Sequence, residues 1–482
     1  MDHGRKSSDR KRIARSREGI AKLDVVIIAV GIVCALILIN MYFIQPADKT
    51  VNVTLSSDGN TIGKAPVTGV GFADLNWLEE TEKNLEPRGD LTFAGWYTDS
   101  SFEEPFYKFT QIRSDTTLYA NWNELDISLA QTETAPVTNS KTCTFTVVNA
   151  DISTIGSITW TVTDSFKSNN NEAFPKKVID DPTSLSFDES LKKGMYDVTL
   201  TVTFDDGAEM TTRKTVIVDG IISNTTSWND YRDIPRTPGV MDHSIEYSFD
   251  VMDYIHFAKM NWAREFRINA IASFAVYEYE DSASDKYVIQ VIADKLKAMF
   301  DADPTMTKQD QANLVASFVN HGLSPATLPN RNSDYFFYFI PKYHASQNDG
   351  SVEYYRYPME SLYDKIMYGG IGDCDCHAIL TAAIAKACGF DSGVMVMTYH
   401  NPHNENDRQV GHAVAAIWDD PSFDPGFTEP APQGSGSNRS SFKEVDGYYA
   451  CETFRPSQTM WVGLLQDTYQ GAFWTHRVFV VG

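Results

Sequence analysis

Residues Val25 to Ile44, VVIIAVGIVCALILINMYFI, carry no charged side chain. A run of about 20 apolar residues matches the hydrocarbon thickness of a bilayer when wound as a helix. A helix in a soluble core would show a polar face, and this stretch has none. It is longer than a signal-peptide core, and Asn40, Met41, Tyr42 and Phe43 at its end offer no small-x-small cleavage pattern, so it predicts an uncleaved anchor. Arg5, Lys6, Arg10, Lys11, Arg12, Arg15, Arg17 and Lys22 precede it. Positive charge on that side places the N-terminus in the cytoplasm. The expected plan is a basic tail over 1–24, a single transmembrane helix over 25–45 and an extracellular remainder, making a single-pass protein of the cell membrane.

That remainder is too long for one hydrophobic core, since the whole chain has 482 residues. A formal net charge of -23 argues against nucleic-acid binding, which rests on clustered Lys and Arg. The six cysteines do not read as a disulfide framework. Cys34 falls in the apolar run and Cys143 in a strand-like region, while Cys374, Cys376, Cys388 and Cys451 crowd the last third. Disulfides that held an extracellular fold would be spread through every module, so the crowding points to a site.

Two β-rich stretches come after the apolar run. Over Val51 to Trp122, short β-prone segments alternate with turn residues and end in FAGWYTD (Phe93 to Asp99) and LYANW (Leu118 to Trp122). These motifs resemble the Listeria/Bacteroides repeat (internalin B-repeat) family, which implies a small β-grasp-like module over 50–123. Trp96, Tyr97, Tyr119 and Trp122 read as the core that so small a unit needs, ahead of a carbohydrate platform. Between 135 and 220, TCTFTVV, GSITWTVT, YDVTLTVTF and TRKTVIVDG alternate as the strands of a β-sandwich, with FDDGAEM as a hairpin. This text is similar to the polycystic kidney disease (PKD) and Ig-like spacer domains of surface proteins, and it implies a spacer.

From about Tyr231 the period becomes helical, in VMDYIHFAKMNWAREFRINAIASF, KYVIQVIADKLKAMF and TMTKQDQANLVASFVNH. Strands return after Ser392 as SGVMVMTY, GHAVAAIW, GYYACETF and RVFVVG. Helices first and an antiparallel sheet afterwards predict an α+β domain over 231–482. At the joint, Gly369, Gly370 and Gly372 loosen the backbone, Asp373 is a good N-cap, and Ala378 to Ala387 is a strong helix former. Cys374 then falls in the first helical turn, where the helix dipole and the N–H groups are expected to lower its pKa and to hold an oxyanion. His412, on the strand GHAVAAIW, is the expected base, and Glu452, on the following strand, is placed to orient it.

A Cys in a G-x-C-x-x-x-A helix start (Gly372, Cys374, Ala378), a strand beginning with His412 and an acid on the next strand resemble the transglutaminase-like (papain-like) superfamily of cysteine hydrolases. The resemblance covers about 231–482 and implies a Cys, His and acid triad. Glu452 stands where the family has Asp, and Asp420 and Asp424 are alternatives for that third member. The resemblance also offers Asn320 as an oxyanion donor. Cys376 reads as small core or a redox modulator, His377 as helix surface, Cys388 as packed against the sheet, and Cys451 as alternating away from Glu452. A zinc site built from Cys374, Cys376, His377, His412 and Cys451 is the chemical competitor. Its C-x-C-H spacing departs from the usual pattern, so neither metal nor cofactor is expected.

The resulting expectation is a multidomain chain: transmembrane helix, β-grasp-like module, β-sandwich and α+β transglutaminase-like domain. Its function would be that of a cysteine peptidase, amidase or acyl transferase on protein, peptide or cell-wall amides. The alternative is an inactive surface binding or adhesion protein that uses the same fold as a scaffold.

Overall fold

In a computed structural model, the described residues are 51–67, 75–86, 88–102, 106, 112, 114–133, 139–149, 152–166, 176–180, 185–229, 243–262, 268–323, 355–369, 372–400, 408–418, 439–453 and 462–482. They correct the expected fold class. The described chain is mostly β, with twenty strands in six sheets, rather than an α+β domain behind a membrane helix. The expected span 25–45 and the tail before it lie outside the described residues, and no described helix is long and apolar enough to cross a membrane. The physical source of the correction is strand-dense text outside the helical stretch: short alternating segments with Ser, Thr and Asn on the outer face pair into sheets all along the chain.

The first sheet has the order β2-β1-β4-β3. Its strands are β1 (Val51–Ser57), β2 (Asn60–Val67), β3 (Thr92–Tyr97) and β4 (Thr116–Asn123), with α1 (Leu75–Lys83) between β2 and β3. β1 and β4 run parallel. Trp96 and Tyr97 are buried, and Trp96 donates its Nε1–H to Glu82 on α1 at 2.9 Å.

Two antiparallel sheets share the next core. One is β5 (Asp126–Glu133), β6 (Ser140–Val148) and β9 (Ser186–Lys192), in the order β5-β6-β9. The other is β7 (Ile155–Asp164), β8 (Lys176–Asp180), β10 (Gly194–Phe204) and β11 (Glu209–Val218), in the order β11-β10-β7-β8. Alternate residues Cys143, Phe145, Trp160, Val162, Val198 and Leu200 face inward. Each large side chain buried there contributes about 1.5–3 kcal/mol.

The sandwich packs directly on the helices C-terminal to it. Tyr363 donates its hydroxyl to the Lys193 carbonyl at 2.8 Å, and Phe166 meets Tyr254 edge-on at 5.9 Å. A hairpin of β12 (Ile221–Trp228) and β13 (His243–Asp250) leads into those helices, α2 (Val251–Trp262), α3 (Val288–Ala302), α4 (Lys308–Ser317), α5 (Pro358–Tyr368) and α6 (Cys374–Ala387).

The last sheet is antiparallel, in the order β17-β18-β15-β14-β20. It is built from β14 (Ser392–His400), β15 (Arg408–Trp418), β17 (Glu444–Val445), β18 (Tyr448–Cys451) and β20 (Trp474–Val480). β16 (Ser440–Phe442) and β19 (Leu464–Gln466) pair beside it. Alternation divides its side chains: Val394, Val396, Ala413, Ala415 and Cys451 join the core shared with α6, while Met395, Met397, Val414, Ala416 and Ala450 form a second cluster on the other face.

Candidate active site

Gly372 opens the site with φ +107°, a backbone conformation that favours glycine. A Cβ there would lie 2.4 Å from Nη1 of Arg356 and 2.5 Å from Cβ of Cys376. Asp373 is the extended N-cap residue of α6, and the first intrahelical bond runs from the His377 N–H to its carbonyl at 3.0 Å. Cys374, Asp375 and Cys376 therefore hold the N–H groups that precede the helical ladder.

Cys374 is half-buried, with the backbone N–H of Ala413, the residue after His412, near enough to favour its thiolate. The expected lowering of its pKa is corrected. Burial pushes the thiol well above its ordinary value, and the Asp373 and Asp375 carboxylates and Glu452 add to the rise. Only the Ala413 N–H works the other way. Burial, with the acidic neighbours adding to it, outweighs what the helix start offers the thiolate.

His412 is buried and its Nε2 lies 2.5 Å from Oε2 of Glu452, which is completely enclosed. The register explains the meeting. Ala416 pairs with Ala450 and Ala415 with Cys451, and the chain leaves the ladder at Glu452, beside the strand that carries His412. Tyr469 stacks on the imidazole with centroids 4.4 Å apart and planes at 19°. Gly411 leaves room for Trp474, whose ring would lie 2.2 Å from a Cβ there.

Behind the nucleophile, Arg356 is buried, pairs through Nε with Asp364 at 3.1 Å, and points Nη1 at the Cys376 sulfur at 3.8 Å. Burial alone would raise Asp373, but hydrogen bonding with Asp375 and the Arg356 charge hold it below the usual carboxylate range. Asp373, Asp375 and Cys376 bring potential ligand atoms within 4.8 Å of one another. The Arg356 guanidinium already supplies positive charge there, so the cluster reads as an anchor for the turn before α6.

The structure thus brings Cys374 against the backbone beside His412 and pairs His412 with Glu452. Asn320 is fully buried on the turn Phe318–Leu323, which packs against α6. Asp420 and Asp424 lie outside the described residues. Two further expectations are corrected. His377 is not helix surface: it is 2% exposed, and its Nδ1 lies 2.8 Å from the Thr453 carbonyl. The Cys388 thiol turns to α3 instead of the sheet, 3.9 Å from the Ala293 carbonyl, and burial raises its pKa to about 12. Sequence reasoning missed Arg356, Asp364 and Tyr469. The Arg at the start of RYPMESLYD, eight residues before an acid, was the only available signal for the first two, and nothing in the sequence marked Tyr469. Compared with known proteins, the chain matches no protein-family model and no curated protein.

Proposed function

We propose that the chain is a cysteine hydrolase or acyl transferase acting on amide bonds of protein, peptide or cell-wall substrates, as its resemblance to transglutaminase-like enzymes implies. The observation that carries the reading is the buried His412–Glu452 contact at 2.5 Å, one residue from the Ala413 N–H that favours the Cys374 thiolate. Glu452 engages Nε2, so Nδ1 is the imidazole nitrogen assigned to the thiol.

As the sulfur attacks the carbonyl carbon, its proton passes to Nδ1, and Glu452 stabilises the imidazolium. The N–H groups of the first turn of α6 are the donors that helix geometry supplies to the oxyanion. Collapse breaks the C–N bond, and the leaving amine takes the proton from His412. Water or an amine then attacks the thioester and gives its proton to His412, and the C–S bond breaks as the departing Cys374 sulfur takes that proton back. Burial raises the Cys374 thiol, which favours transfer of its proton to His412 together with attack.

That raised thiol also favours a second reading, in which the site no longer turns over and the β modules bind a surface. Both readings meet one experiment. The purified protein is incubated with an amide and peptide library and with intact cell wall, beside Cys374→Ala. Turnover lost in Cys374→Ala supports the enzyme. No turnover, together with cell-wall binding retained in Cys374→Ala, supports the binding protein.

A further inference from the structure

The ladder between β15 and β18 ends at the pair Ala415 and Cys451, one residue short of Glu452. What holds the chain beyond it is α6. The His377 Nδ1 lies 2.8 Å from the Thr453 carbonyl, and a carbonyl only accepts, so Nδ1 carries the proton. One turn further on, Thr381 donates its hydroxyl to the His377 carbonyl at 2.7 Å and meets the Thr453 hydroxyl at 3.1 Å. All of these contacts are buried.

We infer that His377 is a positioning residue: by gripping Thr453 it sets Glu452, and through Glu452 the imidazole of His412, relative to the helix that carries Cys374. The role rests on the reading of Cys374, His412 and Glu452 as the reacting group. A histidine three residues after the nucleophile and one hydrogen bond from the residue after Glu452 ties both ends of that group together. Packing alone would be served by an apolar side chain, whereas the bond to Thr453 requires a donor in one direction. Burial, first of all, lowers His377 to about 4, against the pull of Asp373 and Glu452 and with a push from Lys365. It therefore acts as a neutral donor at neutral pH.

The test measures iodoacetamide labelling of Cys374 in the full chain, located by peptide mass spectrometry, across about pH 5 to 9. The readout is the imidazole-dependent rate, wild type minus His412→Ala. Asparagine at 377 puts an amide N–H where Nδ1–H stands, so His377→Asn should keep that rate. His377→Leu should lower it on the order of tenfold, the scale of a small misplacement of reacting groups. Thr381→Val, which loosens the same grip without altering the histidine, should lower it as well and serves if the leucine variant does not fold. A wild-type rate retained by every folded variant among His377→Leu and Thr381→Val overturns the positioning role and leaves the catalytic reading standing. A wild-type profile equal to that of His412→Ala overturns the catalytic reading, and the role falls with it.

Discussion

His412 and Glu452 meet side chain to side chain at 2.5 Å inside the protein, although forty residues separate them in the chain. Neither is exposed by more than 4%. A carboxylate so enclosed has little water to solvate it, and the imidazole is the group that offsets its burial.

Glu452→Ala is therefore expected to destabilise the protein by about 3–5 kcal/mol, the usual cost of breaking a buried pair from one side. Glu452→Gln keeps a hydrogen-bonding group of the same size and should fold, but it cannot neutralise an imidazolium. Turnover of a substrate found by library screening should fall on the order of 10²- to 10⁴-fold in the glutamine variant. Urea denaturation and initial rates check the two halves separately, and an unchanged rate in Glu452→Gln would remove Glu452 from the chemistry.

His377 predicts how stability depends on pH. Burial lowers its pKa from 6.5 to about 4, so between those values the unfolded chain binds a proton that the folded chain refuses. Stability then rises with pH through this window: the contribution is complete above about 6.5 and lost as pH falls toward about 4. It amounts to about 3 kcal/mol. Urea midpoints measured over this range should show a shallower slope for His377→Asn than for the wild type. Equal slopes would assign the acid sensitivity to other groups.

Much of the site was legible because its logic is local. The GDC turn before an alanine-rich run predicted the start of α6, and period-two alternation in YYACET put Cys451 in the core and Glu452 on the other face. Alternation could also have revealed β13, where Ile245, Tyr247 and Phe249 all face inward. HSIEYSFD runs straight into helical text, and its outward Ser and Glu residues gave no turn signal to mark it off. What could not be read were contacts fixed by packing between distant segments. Arg356 against Cys376, Tyr469 on His412 and Cys388 against α3 depend on how helices lie over a sheet, which a one-dimensional period does not encode. The sign of the Cys374 shift failed for the same reason, since its burial and acidic surroundings are tertiary.

Gly372→Ala tests the turn that presents the nucleophile. The new methyl would meet Arg356 and Cys376 at under 3 Å, in a backbone region that disfavours side chains. A cost of roughly 1–3 kcal/mol from the backbone alone is expected, with the collision adding to it. Because the collision displaces the start of α6, Cys374 labelling should slow together with the loss of stability. Denaturant titration and labelling rates are the measurements, and a variant that kept wild-type values in both would show that the turn relaxes freely.

Tyr363→Phe tests whether the β-sandwich is fixed to the helices beneath the site. Tyr363 stacks on Tyr254 at 3.5 Å and donates to the Lys193 carbonyl at 2.8 Å, and Gly194 leaves room for its hydroxyl. Removing only the oxygen preserves the stack and leaves a buried carbonyl short of its donor, at a cost of about 1–3 kcal/mol. The loss should fall on the joint rather than on either core, because Phe145, Trp160 and Phe187 within the sandwich are untouched. Limited proteolysis should therefore cut faster near residues 219–220 in the variant, where the chain leaves β11 for the hairpin. Protection unchanged from wild type would mean that Phe166 against Tyr254 and Lys193 against the Ile221 carbonyl are enough to hold the joint.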